Sequence, residues 1–355
     1  MKNIQRKNMT RRQLLLTVFA ALVLLFLARA IEEENAYKRR SWIPITSLQQ
    51  PSFTYRKTNY TKNGRKTDRF SILQNAERED VHMKPFPHLV IREALPQDIY
   101  GRVDSNFPPS AVFQQLNRFR TVSSGKQTFG KENFRYDILP QEIRDFLPEP
   151  YPSILEYHSS CAFFLEVLDL FEEGIRRFRP EFYRSLNKKS LCSEWSEERN
   201  NTSSKDDLLI TMRVGINSPS KVVSSNKGPH IDRMSEIFGS LLYVRNGSDK
   251  TVGGDFHIHS CKERCAKICN ILRNTKQLES PLLKMVKTIK YEANTLVFFI
   301  NSPLSVHSVG LRHPGEFNRQ FLSIYGDVMK ISKKYVHDES CCSNCVEGVI
   351  GCKFL

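Results

Sequence analysis

The sequence predicts a mainly β domain, a sandwich or jelly roll with flanking helices, preceded by one N-terminal transmembrane helix. Two observations predict the β domain. From Leu208 the chain falls into short β-type runs: "LLITMRV", "GSLLYVRN", "GGDFHIH", "LLKMVKTIKY", "NTLVFFI", "LSVHSV" and "RQFLSIYG". Gly, Pro and Asn separate them, as in sandwiches and barrels. The helical patterns come first, with no βα alternation and no internal repeat, so they are expected outside one sheet. The transmembrane helix rests on the apolar run Leu14–Ala28.

The N-terminus reads as a cytosolic tail (1–12) and a signal-anchor helix (13–31). Lys2, Arg6, Lys7, Arg11 and Arg12 precede the apolar run, and Glu32, Glu33 and Glu34 follow it. By the positive-inside rule the bulk of the chain is translocated. The run is short against the about 17–25 residues of a spanning helix. Ala28-Arg29-Ala30 also has the small-x-small form of a cleavage site. The long basic flank favours the anchor. Both readings place the domain in a secretory lumen or outside the cell, with ER or Golgi membrane the expected site. The sequons at Asn59, Asn200, Asn201 and Asn246 agree.

Residues 32–80 are polar and basic, with little apolar periodicity, and read as a stem. Residues 81–204 read as a helical support region. "HLVI" is a predicted strand. "LPQDIYGRVDSNF" opens on Pro96 and reads as a helix. "LPQEIRDFL" is a short helix. "SSCAFFLEVLDLFEEGIRRF" has a serine cap and apolar residues at Phe164, Leu168, Phe171 and Ile175, a helical spacing of core residues. Residues 205–330 carry the β core, and 331–355 form a cysteine-rich tail.

All nine cysteines lie beyond residue 160. Seven fall in "CKERCAKIC" (Cys261, Cys265, Cys269) and "CCSNCVEGVIGC" (Cys341, Cys342, Cys345, Cys352). In an oxidising compartment the expectation is disulfides, with the tail stapled onto the first cluster. A zinc site using these cysteines with His257 or His259 is the competing reading. The formal charge of +15 favours acidic partners. No nucleic-acid motif is present, and the targeting signal argues against that class.

The chemistry begins at "GPHIDR". On extended chain His230 and Asp232, two apart, aim at one side. A third candidate, His307, lies in "NSPLSVHSVG". Two histidines and a carboxylate are the donor set of non-haem Fe(II) centres, with positions left open. A 2-oxo acid cosubstrate would need a cation for its distal carboxylate. Arg319, twelve residues after His307, suits it, because its planar fork pairs a carboxylate bidentately. Arg319, Phe321, Ser323 and Tyr325 share one strand face.

The stretch from about 205 to 330 resembles the Fe(II)- and 2-oxoglutarate-dependent dioxygenases, and within them the prolyl-hydroxylase-like branch. "HID", "SLLYVRN…GGDF", "NTLVFFINSPLSVHSV" and "RQFLSIYG" carry the resemblance. It implies a double-stranded β-helix (jelly-roll) fold. It implies Fe(II) on His230, Asp232 and His307, with 2-oxoglutarate held by Arg319. Tyr243 sits where some members supply a hydroxyl to the cosubstrate. It also implies oxidative decarboxylation to succinate coupled to hydroxylation, with ascorbate as reductant. The cysteine-rich insertion after "GGDFHIH" and the cysteine-rich tail depart from the family. The substrate is therefore not carried over; a luminal protein side chain, proline or lysine, is the first expectation, beside a glycan or lipid. His88, His158 and His313 read as structural, and His257 and His259 as residues at the rim. Two other classes compete: a Golgi-type type II glycosyltransferase and a non-catalytic luminal jelly-roll binding protein. The chain lacks a D-x-D motif, and its intact triad argues against the second.

Overall fold

The structure is a computed structural model that describes residues 68–124, 132–186, 208–233, 235–261 and 283–328. The expected anchor, the sequons at Asn59, Asn200 and Asn201 and the cysteine-rich tail lie outside these residues. So does the cysteine-rich insertion after Cys261. Among the described residues no helix is long and apolar enough to cross a membrane.

The described strands are β1 (His88–Arg92), β2 (Arg135–Ile138), β3 (Leu208–Asn217), β4 (Glu236–Tyr243), β5 (Phe256–Cys261), β6 (Leu283–Ile289), β7 (Thr295–Ile300), β8 (His307–Val309) and β9 (Arg319–Val328). They form a six-stranded sheet ordered β1-β7-β4-β9-β3-β2 and a three-stranded sheet ordered β6-β5-β8. Every pairing is antiparallel. An isolated bridge between His230 and His307 adds one more extended segment beside β8. From β3 to β9 the chain crosses between the sheets as large, small, large, small, small, large, small, large. That winding fits a double-stranded β-helix. The strand expected across His230–Asp232 is reduced to this single bridge. Pro229 precedes it and has no N–H to give a ladder.

The large sheet has two differently filled faces, as period-two alternation requires. Its outer face carries Val214, Leu242, Phe298 and Leu322, all buried with the helices in the larger core. The principal covering helices are α1 (Gln97–Ser105), α2 (Ser110–Ser124), α3 (Pro140–Phe146), α4 (Tyr151–His158) and α5 (Cys161–Phe178), followed by a short α6 (Pro180–Ser185). In α5, Phe163, Val167, Phe171 and Ile175 recur at helical spacing and are buried. Phe171 stacks on Phe298 with ring centroids 5.1 Å apart. The Ser160 hydroxyl accepts from the Phe163 N–H and caps the helix. Cys161 is disulfide-bonded.

The inner face meets the small sheet through a second, smaller core that includes Phe256, Ile258, Val297, Phe299 and Phe321. It is also the face that carries charge. Across β2, β3, β9 and β4 the register aligns Arg135, Asn217 and Arg319, then Asp137, Gly215, Phe321 and Tyr243. Next come Arg213, Ser323 and Leu241, then Thr211, Tyr325 and Gly239. Apolar packing thus holds the two sheets together while polar side chains share the inner face.

Candidate metal centre and cosubstrate channel

The backbone bridge sets the first two ligands side by side. The His230 N–H donates to the His307 carbonyl at 2.9 Å, and the His307 N–H returns the bond at 3.0 Å. The two rings lie 4.2 Å apart between centroids. Asp232 then closes the group. Its Oδ1 is 3.4 Å from His230 Nε2, and its Oδ2 is 3.4 Å from His307 Nε2. The candidate ligand atoms of the three residues all lie within 4.8 Å of one another.

The other ring nitrogens fix what Nε2 can do. His230 Nδ1 is 2.7 Å from the Gly228 carbonyl, and His307 Nδ1 is 2.9 Å from the Ser305 carbonyl. A carbonyl only accepts, so each Nδ1 must be the donor. In a neutral ring Nε2 is then a lone pair, and both lone pairs face a carboxylate. Three acceptors turned on one point fit a cation. Carbonyl-anchored imidazoles of this kind are the usual support of metal-ligating histidines.

The electrostatics agree with that assignment. Burial pushes His307 down to about 3, so its ring is neutral near pH 7. Burial opposes ionisation of Asp232, but a proton entering the cluster settles on the facing imidazoles before the carboxylate, and the Lys227 ammonium adds its charge, so the carboxyl is held well below the usual range. The Lys227 ammonium sits 3.2 Å from Asp232 Oδ1. Phe256 stacks on the His307 ring at 5.1 Å and Phe299 approaches it at 4.7 Å, giving the histidine a dry wall.

Arg319 lies on the inner face of the large sheet and is 2% exposed. Nε donates to the Gly254 carbonyl at 2.6 Å, Nη1 to Asn217 Oδ1 at 3.2 Å and Nη2 to the Tyr243 hydroxyl at 2.9 Å. A guanidinium has five N–H groups, so one remains on each terminal nitrogen. Among the described residues no carboxylate pairs with it. A buried cation without a counter-charge is costly, and the remaining fork matches a carboxylate. Tyr243 is wholly buried, and burial raises its phenol, which keeps its proton for a ligand. The guanidinium also packs 4.8 Å from the Tyr243 ring centroid.

The Gly253–Gly254 turn makes this approach possible. Both residues have positive φ, +88° and +77°. A Cβ at Gly253 would lie 1.8 Å from the Leu311 carbonyl oxygen, and one at Gly254 would lie 3.0 Å from Arg319 Cδ. Only glycine lets this backbone present its carbonyl to Nε.

The structure brings together His230, Asp232 and His307, and separately Arg319 and Tyr243. The residues fit Fe(II) at the triad and the 2-oxoglutarate distal carboxylate at Arg319. His88 and His158 are buried away from the triad, and His313 is exposed. His158 Nδ1 donates to the Ile154 carbonyl at 2.7 Å, and its Nε2 accepts from the Ile72 N–H at 3.1 Å. His257 and His259 stand 6.3 Å apart between ring centroids, and His259 Nε2 bonds the Ser308 hydroxyl at 2.8 Å. Sequence reading missed Arg135, Asp137 and Arg213 on the inner face. "RYDI" alternates and so carried a strand signal, but four residues are too few to stand out.

The chain matches no protein-family model and no curated protein. Solved structures similar to it include a prolyl 4-hydroxylase from Phytophthora capsici, at 12% identity over 78% of this chain and 68% of that one, TM-score 0.38. A Pseudomonas putida prolyl-4-hydroxylase is 13% identical over 70% and 97%, TM-score 0.33. The dioxygenase for auxin oxidation from Arabidopsis thaliana, bound to 2-oxoglutarate, is 12% identical over 72% and 87%, TM-score 0.33.

Proposed function

We propose that the chain is an Fe(II)- and 2-oxoglutarate-dependent dioxygenase that hydroxylates a substrate of the secretory pathway, with a protein proline or lysine side chain as first candidate. One observation carries the reading: two imidazoles with tied Nδ1 atoms converge on Asp232, and the same inner face carries a buried guanidinium with no carboxylate partner among the described residues. With 2-oxoglutarate, iron supplies oxidative chemistry in which O2 puts one oxygen into a substrate C–H bond while 2-oxoglutarate leaves as succinate and CO2.

The protein's own part is binding, orientation and exclusion of water. The Gly228 and Ser305 carbonyls hold both rings in the Nδ1–H tautomer, so both Nε2 lone pairs face inward. Asp232 stays ionised as the anionic ligand. Arg319 takes the distal carboxylate on two N–H groups, and Tyr243 adds its hydroxyl. Phe256 and Phe299 keep water from His307. Ascorbate would keep the iron ferrous between turnovers. The single-pass type II topology with a luminal domain, drawn from the N-terminal sequence, belongs to the same proposal.

The test is succinate release from 2-oxoglutarate by the full-length protein with Fe(II) and ascorbate. Release that needs iron and vanishes in Asp232→Ala supports the reading. Metal-dependent hydrolysis of a sugar nucleotide with no succinate would refute it in favour of a transferase.

A further inference from the structure

The inner wall of the large sheet carries a second group of cations, separate from Arg319 and outside the triad. Arg135 and Asp137 come from β2, and Arg213 from β3. Arg135 Nε bonds both Asp137 oxygens at 2.9 and 3.1 Å, and its Nη2 donates to Ser323 Oγ at 3.1 Å. That leaves three of its five N–H groups. Arg213 Nη1 stands 3.5 Å from Asp137 Oδ2. Among the described residues Arg213 Nε is buried with no hydrogen-bond partner.

Aromatic rings hold both guanidiniums in place. Arg135 lies 5.0 Å from the Phe321 ring centroid, and Arg213 lies 5.1 Å from that of Tyr325. Phe321 lies flat over β3 only because residue 215 is glycine; a Cβ there would meet the ring at 2.3 Å. The same ring is 5.4 Å from the Arg319 guanidinium, so it stands between the deep cation and the outer pair.

Among the described residues Arg135 and Arg213 share the carboxylate of Asp137, and Arg319 has none. Asp327 and Glu236, further along β9 and β4, pair with Arg233, and the Arg213 charge also acts on Asp327. The outer pair remains partly open to solvent, with side chains 40% and 32% exposed. The pair shares its sheet face with a residue that packs on the triad. Tyr325, under Arg213, is in register with Gly239, which pairs with Phe299, the residue against His307. Asp232 is among the charges that act on Arg135.

We propose that Arg135 and Arg213 form an oxyanion subsite for the substrate. A carboxylate, sulfate or phosphate group seated on the two guanidiniums would hold the substrate with a neighbouring C–H bond toward His230, Asp232 and His307. This deepens the proposed dioxygenase reading and rests on it for its role in turnover, though not for anion binding itself.

The test uses the full-length protein and three probes: acetate, inorganic sulfate and inorganic phosphate. Binding is measured by calorimetry without metal and again with Ni(II) and 2-oxoglutarate, which precludes turnover. Saturable binding of at least one probe is expected, and which probe binds identifies the anion class. Arg135→Gln and Arg213→Gln should each weaken it about tenfold, as loss of a charged hydrogen bond implies. Arg213→Lys should restore part of the affinity, and unchanged melting temperatures would show that the variants fold. 2-Oxoglutarate affinity should stay within about twofold, against a large loss in Arg319→Gln. No saturable binding, or unchanged probe affinity in the double Gln variant, overturns the subsite. Equal damage to 2-oxoglutarate affinity also overturns it, because the pair would then serve the cosubstrate. If the protein binds neither metal nor 2-oxoglutarate, the dioxygenase reading falls, and the metal-free titration still decides the subsite.

Discussion

Replacing Arg319 with lysine keeps the charge and removes the fork. The arginine now gives one N–H each to the Gly254 carbonyl, Asn217 Oδ1 and the Tyr243 hydroxyl, and keeps two for a ligand. A lysine ammonium has three N–H groups in all. If it satisfies the three buried acceptors, none is left for the distal carboxylate. If it turns to the ligand, buried acceptors go unpaired. Either way about two charge-assisted bonds are lost while the net attraction persists, roughly 3 kcal/mol, or about 100-fold in 2-oxoglutarate affinity. Pyruvate has the same 2-oxo acid head but no distal carboxylate, so its affinity should change by less than about threefold. The assay is calorimetric titration of both acids into wild type and Arg319→Lys, each loaded with Ni(II). A loss shared equally by pyruvate and 2-oxoglutarate would mean that the variant damages the metal end, and would refute the placement of the distal carboxylate.

Asp232→Ala removes the one anionic ligand and should weaken Fe(II) or Ni(II) binding by more than about 100-fold, read by metal titration. Gly253→Ala should cost at least about 2 kcal/mol in urea unfolding, because its Cβ meets the Leu311 carbonyl and φ is +88°. Gly254→Ala should disturb 2-oxoglutarate binding more than Gly253→Ala does, relative to its stability cost, since its Cβ presses on Arg319 itself. Burial pushes His158 down to about 4, below the 6.5 of an open imidazole. Its contribution is therefore complete above pH 6.5 and lost as pH falls toward 4, about 3 kcal/mol in that window. Urea unfolding should show His158→Gln less stable at pH 7 but less acid-sensitive than wild type; equal acid sensitivity would refute the assignment.

Much of this was legible because alternation and spacing survive translation into structure. The run of seven β segments beyond Leu208 corresponds to β3 through β9, whose inward residues had to be apolar where the sheets touch. The serine before "CAFFLEVLDLF" caps α5 because a hydroxyl can serve the free N–H groups of a first turn. The H-x-D spacing placed two groups on one side, and chain order supplied the third. Pairings distant in sequence were not legible. Nothing local shows that β2 joins β3, so Arg135 and Asp137 could not be placed beside Arg213 and Ser323. Nor could spacing reveal that His230 and His307 exchange backbone bonds, since a bridge of one residue has no pattern. The Gly-Gly turn was visible, but its reason, the close approach to Leu311 and Arg319, exists only in three dimensions.

The Arg319 site and the triad are built by different means, and the difference bears on function. Arg319 stands on a ten-residue strand paired on both sides, and three bonds hold its fork rigidly. His230 and Asp232 lie on a segment joined to β8 and the chain after it at isolated points, the Ser224–Arg312 and His230–His307 bridges and a Val309 N–H to Lys227 carbonyl bond. A cation at the triad would add a further tie between that segment and β8. Among the described residues the buried guanidinium has no carboxylate, which costs stability, and the two glycines beside it cost backbone entropy on folding. Packing alone would select against that combination, because a hydrophobic residue of similar volume would avoid the desolvation of the cation. Its presence beside the Gly253–Gly254 turn is accounted for if a dicarboxylate restores the charge balance there while its other end reaches the metal.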